Sequence, residues 1–131
     1  MELHLKIVGA ILILLGVMHI IFPKYFNWSK ELSSLSLINR QMMYIHTFFI
    51  ALVVLLMGVL CLTSSYELAG TPLGKRIAFG LGIFWVVRLV FQFVGYSSKL
   101  WKGKKFETTV HVVFIFLWTY LSTVFFGTYW L

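Results

Sequence analysis

Four uninterrupted apolar runs, residues 3–22, 42–62, 77–96 and 110–131, constrain this chain more than any other feature in it. Each is about 20 residues long, the length an α-helix needs to cross the hydrocarbon core of a bilayer. Lipid offers a bare backbone no hydrogen-bond partners, so a spanning segment must be a helix or a barrel strand. Runs this long and continuous read as helices. They end at punctuating residues: Pro23 after the first, Thr63-Ser64-Ser65 after the second, Ser97-Ser98 after the third, with Gly70-Thr71-Pro72 in the middle loop. With connections this short, the expected architecture is all-α, a single integral-membrane four-helix bundle over residues 1–131 with up-down-up-down topology.

Composition points the same way. Of the 131 residues, 60% are hydrophobic and 11% charged, whereas a soluble domain carries about 25% charged residues. A soluble enzyme, a disordered chain and a nucleic-acid-binding module are therefore excluded. The excess of 11 Lys+Arg over 4 Asp+Glu belongs instead beside anionic lipid headgroups. Cys61 is the only cysteine, so neither an intrachain disulfide nor a C-x-x-C redox pair is possible. It reads as a small buried hydrophobe. No small-residue cleavage site follows the first run, which is expected to be retained as a span.

The cations orient the chain. Lys6, Lys75 and Arg76 flank one side of the four spans, and Lys24, Lys30, Arg40, Lys99, Lys102, Lys104 and Lys105 the other. The positive-inside rule makes the second side cytoplasmic and places both termini outside. The cytoplasmic loops look interfacial. Trp28, Leu32 and Leu35 recur at helical spacing after Tyr25 and Phe26, as in a short helix lying along the headgroups. Trp101 among four lysines reads as an aromatic anchor. Gly9, Gly16, Gly80 and Gly82 mark close helix contacts.

Polar residues are confined to one half of the membrane. His19, His46, Gln92 and His111 fall roughly 6–9 Å inside the lysine-bearing side, and Arg88 roughly 12 Å, at ~1.5 Å per residue. Arg88, Gln92 and Tyr96 share a helix face at successive i, i+4 steps. An arginine facing lipid costs at least ~2.5–3.5 kcal/mol, so Arg88 is expected to face inward, or to snorkel along its stem. All four acidic residues, Glu2, Glu31, Glu67 and Glu107, lie at or beyond span ends. The absence of a buried carboxylate removes proton-coupled drug export, carboxylate-bridged di-iron chemistry and a Ser/His/Asp triad.

Three readings follow from imidazoles plus a guanidinium. One is a redox centre: His46 and His111 gripping a b-type haem with Arg88 at its propionates, or His19, His46 and His111 around a transition metal. A second is a non-enzymatic accessory or assembly subunit, partnered with other membrane subunits, in which these side chains are a satisfied interhelical network. The third is an anion or anionic-lipid site built from Arg88, Gln92 and Tyr96 with the lysine-rich rim.

The segment NRQMMYIH at residues 39–46, and GYSSKLWKGK at 95–104, resemble a family of small four-span membrane proteins of environmental bacteria. The resemblance runs along most of the chain. It implies the four-span fold and carries no assigned activity. The asparagine- and phenylalanine-containing pore motifs of the similarly sized fluoride channels do not occur.

Overall fold

The structure, a computed structural model, describes every residue except Ser97 and Trp101, and of Ser98 only the backbone. The expected break at Ser97 and the anchor at Trp101 thus lie outside the described residues. The chain is all-α: α1 (Glu2–Tyr25), α2 (Trp28–Glu31), α3 (Leu37–Thr63), α4 (Ser65–Gly70), α5 (Pro72–Val94), a 3₁₀ turn (Ser98–Leu100) and α6 (Lys105–Trp130). Four of these, α1, α3, α5 and α6, are long and apolar enough to cross a membrane. They are the helices of a four-span membrane protein.

Each long helix begins before its apolar run, and in α3 and α5 a polar residue outside the run caps it. The Ser36 hydroxyl accepts from the Asn39 N–H and starts α3. Thr71 Oγ1 accepts from the Gly74 N–H at 2.9 Å, with Pro72 in the first turn where its missing N–H costs nothing, and so starts α5. Pro23 does not stop α1 as its position suggested. The helix runs on to Tyr25 and ends at Asn27, which turns left-handed at φ 52°. The expected headgroup helix through Leu35 is also shorter than its spacing implied. Only one turn forms, at Trp28–Glu31. The Ser33 hydroxyl bonds back to the Lys30 carbonyl at 2.6 Å, the local competition by which serine breaks helices. Trp28 is buried, edge-on to Tyr44 at 5.6 Å, and so packs on α3.

The chain divides into two compact units, Lys6–Ser64 and a second made of Met1–Leu5 with Ser65–Leu131. In the first, α1 and α3 run antiparallel through glycine. A Cβ on Gly58 would sit 2.7 Å from the Gly9 carbonyl, and one on Gly16 would sit 3.0 Å from the Ala51 carbonyl. The two backbones therefore touch, as small-residue membrane interfaces do.

In the second unit α5 and α6 run antiparallel through aromatic rings. Phe79 meets Phe126, Tyr129 and Trp130 near one end. In the middle, Trp85 stacks on Trp118 at 5.1 Å and 15°, and Phe114 stacks on Trp118 at 5.3 Å and 12°. Near the other end the pair is joined by polar atoms. Helix α4 docks against the first turn of α5, where Gly74 faces the Glu67 carbonyl with no room for a side chain. At the N-terminus His4 Nδ1 lies 3.0 Å from the Tyr120 hydroxyl.

Candidate functional site around Arg88

Helix α5 places Arg88 and Gln92 one turn apart, Tyr96 follows just past its end, and the structure brings all three together with His111 and Trp118 of α6. Gln92 is the hub. It is 95% buried (5% exposed), and both ends of its amide are used. The Trp118 indole Nε1–H donates to Gln92 Oε1 at 3.1 Å, and Arg88 donates to the same oxygen at 3.4 Å. The other end, Gln92 Nε2, lies 2.8 Å from His111 Nδ1.

These contacts fix the direction of every proton in the chain of bonds. An indole and a guanidinium can only donate, so the Gln92 oxygen must face them. Its NH₂ then faces His111 and must donate, which leaves Nδ1 of His111 as the acceptor. The imidazole proton is on Nε2. A metal-ligating histidine usually has the opposite arrangement, with its second ring nitrogen donating to a carbonyl or carboxylate. For His111 to ligate a haem iron through Nε2, its proton would have to move to Nδ1 and point at the Gln92 NH₂. Reversing the amide to accept it would turn an NH₂ towards Trp118 and Arg88. The local hydrogen bonding does not fit an axial haem ligand.

Arg88 is held without being neutralised. Its second terminal nitrogen donates to the Tyr96 hydroxyl at 3.3 Å, and its guanidinium carbon lies 5.1 Å from the Trp118 ring centre and 5.5 Å from that of Tyr96. Both hydrogen bonds are longer than the usual 2.9–3.0 Å. Each ring face contributes ~0.5–2 kcal/mol, more as water is excluded. Every partner is uncharged. The four carboxylates lie at helix ends or in connections, and among the described residues none pairs with Arg88.

Beside the guanidinium runs an apolar groove of about 550 Å³ lined by Phe84, Val87, Arg88, Phe91, Gly95 and Tyr96. Phe84, Val87, Arg88 and Phe91 line one α5 face and Gly95 and Tyr96 follow its end, so the groove runs along the helix from mid-span towards the lysine-rich loop. Phe84, Val87, Phe91 and Tyr96 are all exposed. Neither a family model, nor a curated protein, nor a solved structure matches the chain. The site must therefore be read from its own chemistry.

The other expected ligands belong to the first unit. His19, half-buried on α1, places Nδ1 2.7 Å from the Leu15 carbonyl one turn back, and its ring lies 4.7 Å from Phe22. Its Nδ1 proton satisfies that backbone oxygen. His46 is exposed on α3. Among the described residues no group of three His, Cys, Asp or Glu side chains is placed to hold a metal ion.

Two features escaped the sequence reading. Trp118 is the donor that sets the whole network. The phenylalanine and valine stripe beside Arg88 forms a groove, and its helical period was the available sign of it.

Proposed function

We propose that the chain is a non-enzymatic multi-pass membrane protein, of the accessory-subunit kind, that holds an anionic amphiphile at Arg88. One observation carries this reading: a mid-span guanidinium held, among the described residues, only by neutral partners opens onto an apolar groove. A membrane arginine is expensive unless paired, and such sites bind by fixing an apolar body with a few convergent polar groups. The acid group of the ligand would meet Arg88 and the Tyr96 hydroxyl, and its hydrocarbon would lie along Phe84, Val87 and Phe91. In the orientation given by the loop charges, the site opens towards the cytoplasmic leaflet of a bacterial inner membrane. Lys99, Lys102, Lys104 and Lys105 would there attract anionic headgroups. A haem or metal reading through His46 and His111 draws no support from the His111 hydrogen bond.

The test is retention of anionic lipid by protein purified in a non-ionic detergent, in two variants. Arg88→Leu removes the cation. Gln92→Glu leaves it in place but supplies a carboxylate counterion one turn away, while keeping acceptors for Trp118 and Arg88. Both are expected to lose the retained lipid. Retention equal to the parent protein in both variants would refute the site.

A further inference from the structure

Resting on the reading just given, we infer that the Arg88 site selects a singly charged oxyanion on an acyl chain, and rejects both dianionic and zwitterionic headgroups. The argument is an inventory of charge and hydrogen-bonding capacity. In α5 beyond Arg76, Arg88 is the only charged side chain, and in α6 no Lys, Arg, Asp or Glu follows Glu107 of the first turn. Its neighbours Gln92, Trp118 and Tyr96 are neutral, and His111 accepts at Nδ1. Among its described lining residues the groove therefore presents one positive charge, the lysines of the following loop lying outside that lining. A single ionised oxyanion brings it to zero. A second negative charge would be left uncompensated where desolvation is costly.

Donors and acceptors sharpen the selection. Of the six groove residues only Arg88 and Tyr96 carry side-chain polar atoms. Arg88 only donates. The Tyr96 oxygen accepts from Arg88, so its own O–H is the group it has to offer. Gln92 Oε1, the nearest acceptor, already receives Trp118 and Arg88. Among its described lining residues the groove thus offers donors and no uncommitted side-chain acceptor. An ionised carboxylate or a phosphodiester, which only accept at their charged oxygens, match it. A phosphomonoester carries a charge of about −1.5 to −2 near neutrality and exceeds the available positive charge. A zwitterionic headgroup brings an ammonium that finds no acceptor there. The matching chemistry has two sources, a phosphodiester lipid such as phosphatidylglycerol and a free fatty acid.

The experiment is competition for the intact protein in dodecyl maltoside micelles, read by native mass spectrometry at about pH 8.5, where a phosphomonoester is fully ionised. The probes are dioleoyl phosphatidylglycerol, oleate, dioleoyl phosphatidate and dioleoyl phosphatidylethanolamine. The expected result is Arg88-dependent binding of phosphatidylglycerol or oleate, with phosphatidate and phosphatidylethanolamine weaker by about tenfold or more. Whichever of the first two binds more tightly identifies the source. Phosphatidate or phosphatidylethanolamine binding as tightly, still lost in Arg88→Leu, would overturn the selectivity and leave the anionic-amphiphile reading standing. Binding of no probe, or binding indifferent to both Arg88→Leu and Gln92→Glu, would overturn the reading itself. Near-UV circular dichroism from the stacked Trp85 and Trp118 checks that each variant is folded.

Discussion

Replacing Gln92 by leucine removes the hub of the polar network while keeping close to its volume. Two hydrogen bonds between α5 and α6 disappear, from Trp118 at 3.1 Å and to His111 at 2.8 Å. Interhelical hydrogen bonds inside membranes average about 0.6 kcal/mol and reach about 1.7 kcal/mol. Two of them bracket the cost at roughly 1–3 kcal/mol. The upper part of that range is expected, because Gln92 is buried and no water takes its place at the Trp118 N–H. Leucine also leaves Arg88 with one fewer oxygen. The measurement is reversible unfolding of the detergent-solubilised protein, followed by far-UV circular dichroism of the helices, a signal that the tryptophan variants retain. A double-mutant cycle with Trp118→Phe isolates the indole bond, and its coupling is expected between about 0.6 and 1.7 kcal/mol. A change below about 0.3 kcal/mol for Gln92→Leu, or a coupling of zero, would refute the claim that this amide fastens α5 to α6.

Two further outcomes separate packing from polarity. Gly58→Ala is expected to destabilise by about 1–3 kcal/mol, since its new Cβ would fall 2.7 Å from the Gly9 carbonyl and 2.8 Å from the Ile13 nitrogen. Gly80→Ala, where a Cβ meets nothing within 4 Å, should be neutral or stabilising by up to about 1 kcal/mol; the same unfolding assay compares them. Trp85→Phe should cost far less than its buried area implies, because its indole Nε1 is buried with no partner among the described residues. Losing an unsatisfied donor recovers about 1–3 kcal/mol of desolvation against the lost ring contact. If Trp85→Phe destabilises more than Trp118→Phe, the orphaned donor has a partner that this account lacks.

The spans were legible because hydrocarbon imposes one rule on every residue of a crossing helix, and 20-residue apolar runs satisfy it only one way. Helix ends were not, because they depend on single side chains such as Ser36, Thr71 and Asn27, whose hydroxyl or left-handed backbone no hydropathy pattern records. The connector failed for the same reason. Trp28, Leu32 and Leu35 kept helical spacing, yet Ser33 diverted the backbone after one turn. In the site, Arg88, Gln92 and Tyr96 could be placed on one face from their spacing alone, and His111 was expected at the depth where it meets Gln92. The direction of the bonds was hidden, because an amide reads the same either way round until its neighbours are known. His19 was indistinguishable from a ligand by type and depth. What it does is set by reach, since its ring can fold back on the Leu15 carbonyl.

The two helical units solve the problem of association in lipid by opposite means, and this bears on the proposed ligand chemistry. Helices α1 and α3 approach until Gly9 and Gly58 touch, so their contact gains from close packing and needs no polar group. Helices α5 and α6 are instead spaced by stacked indoles, and polar atoms join them where the aromatic stack ends. An arginine placed beside that stack gains two ring faces and two long hydrogen bonds. At ~0.5–2 kcal/mol per ring, these contacts offset the insertion cost of about 2.5–3.5 kcal/mol without cancelling the charge. A carboxylate from the chain would have been the simpler solution for stability alone. With none paired to Arg88 among the described residues, the guanidinium stays net positive beside an apolar groove, and this is the charge that the proposed anionic amphiphile would pair.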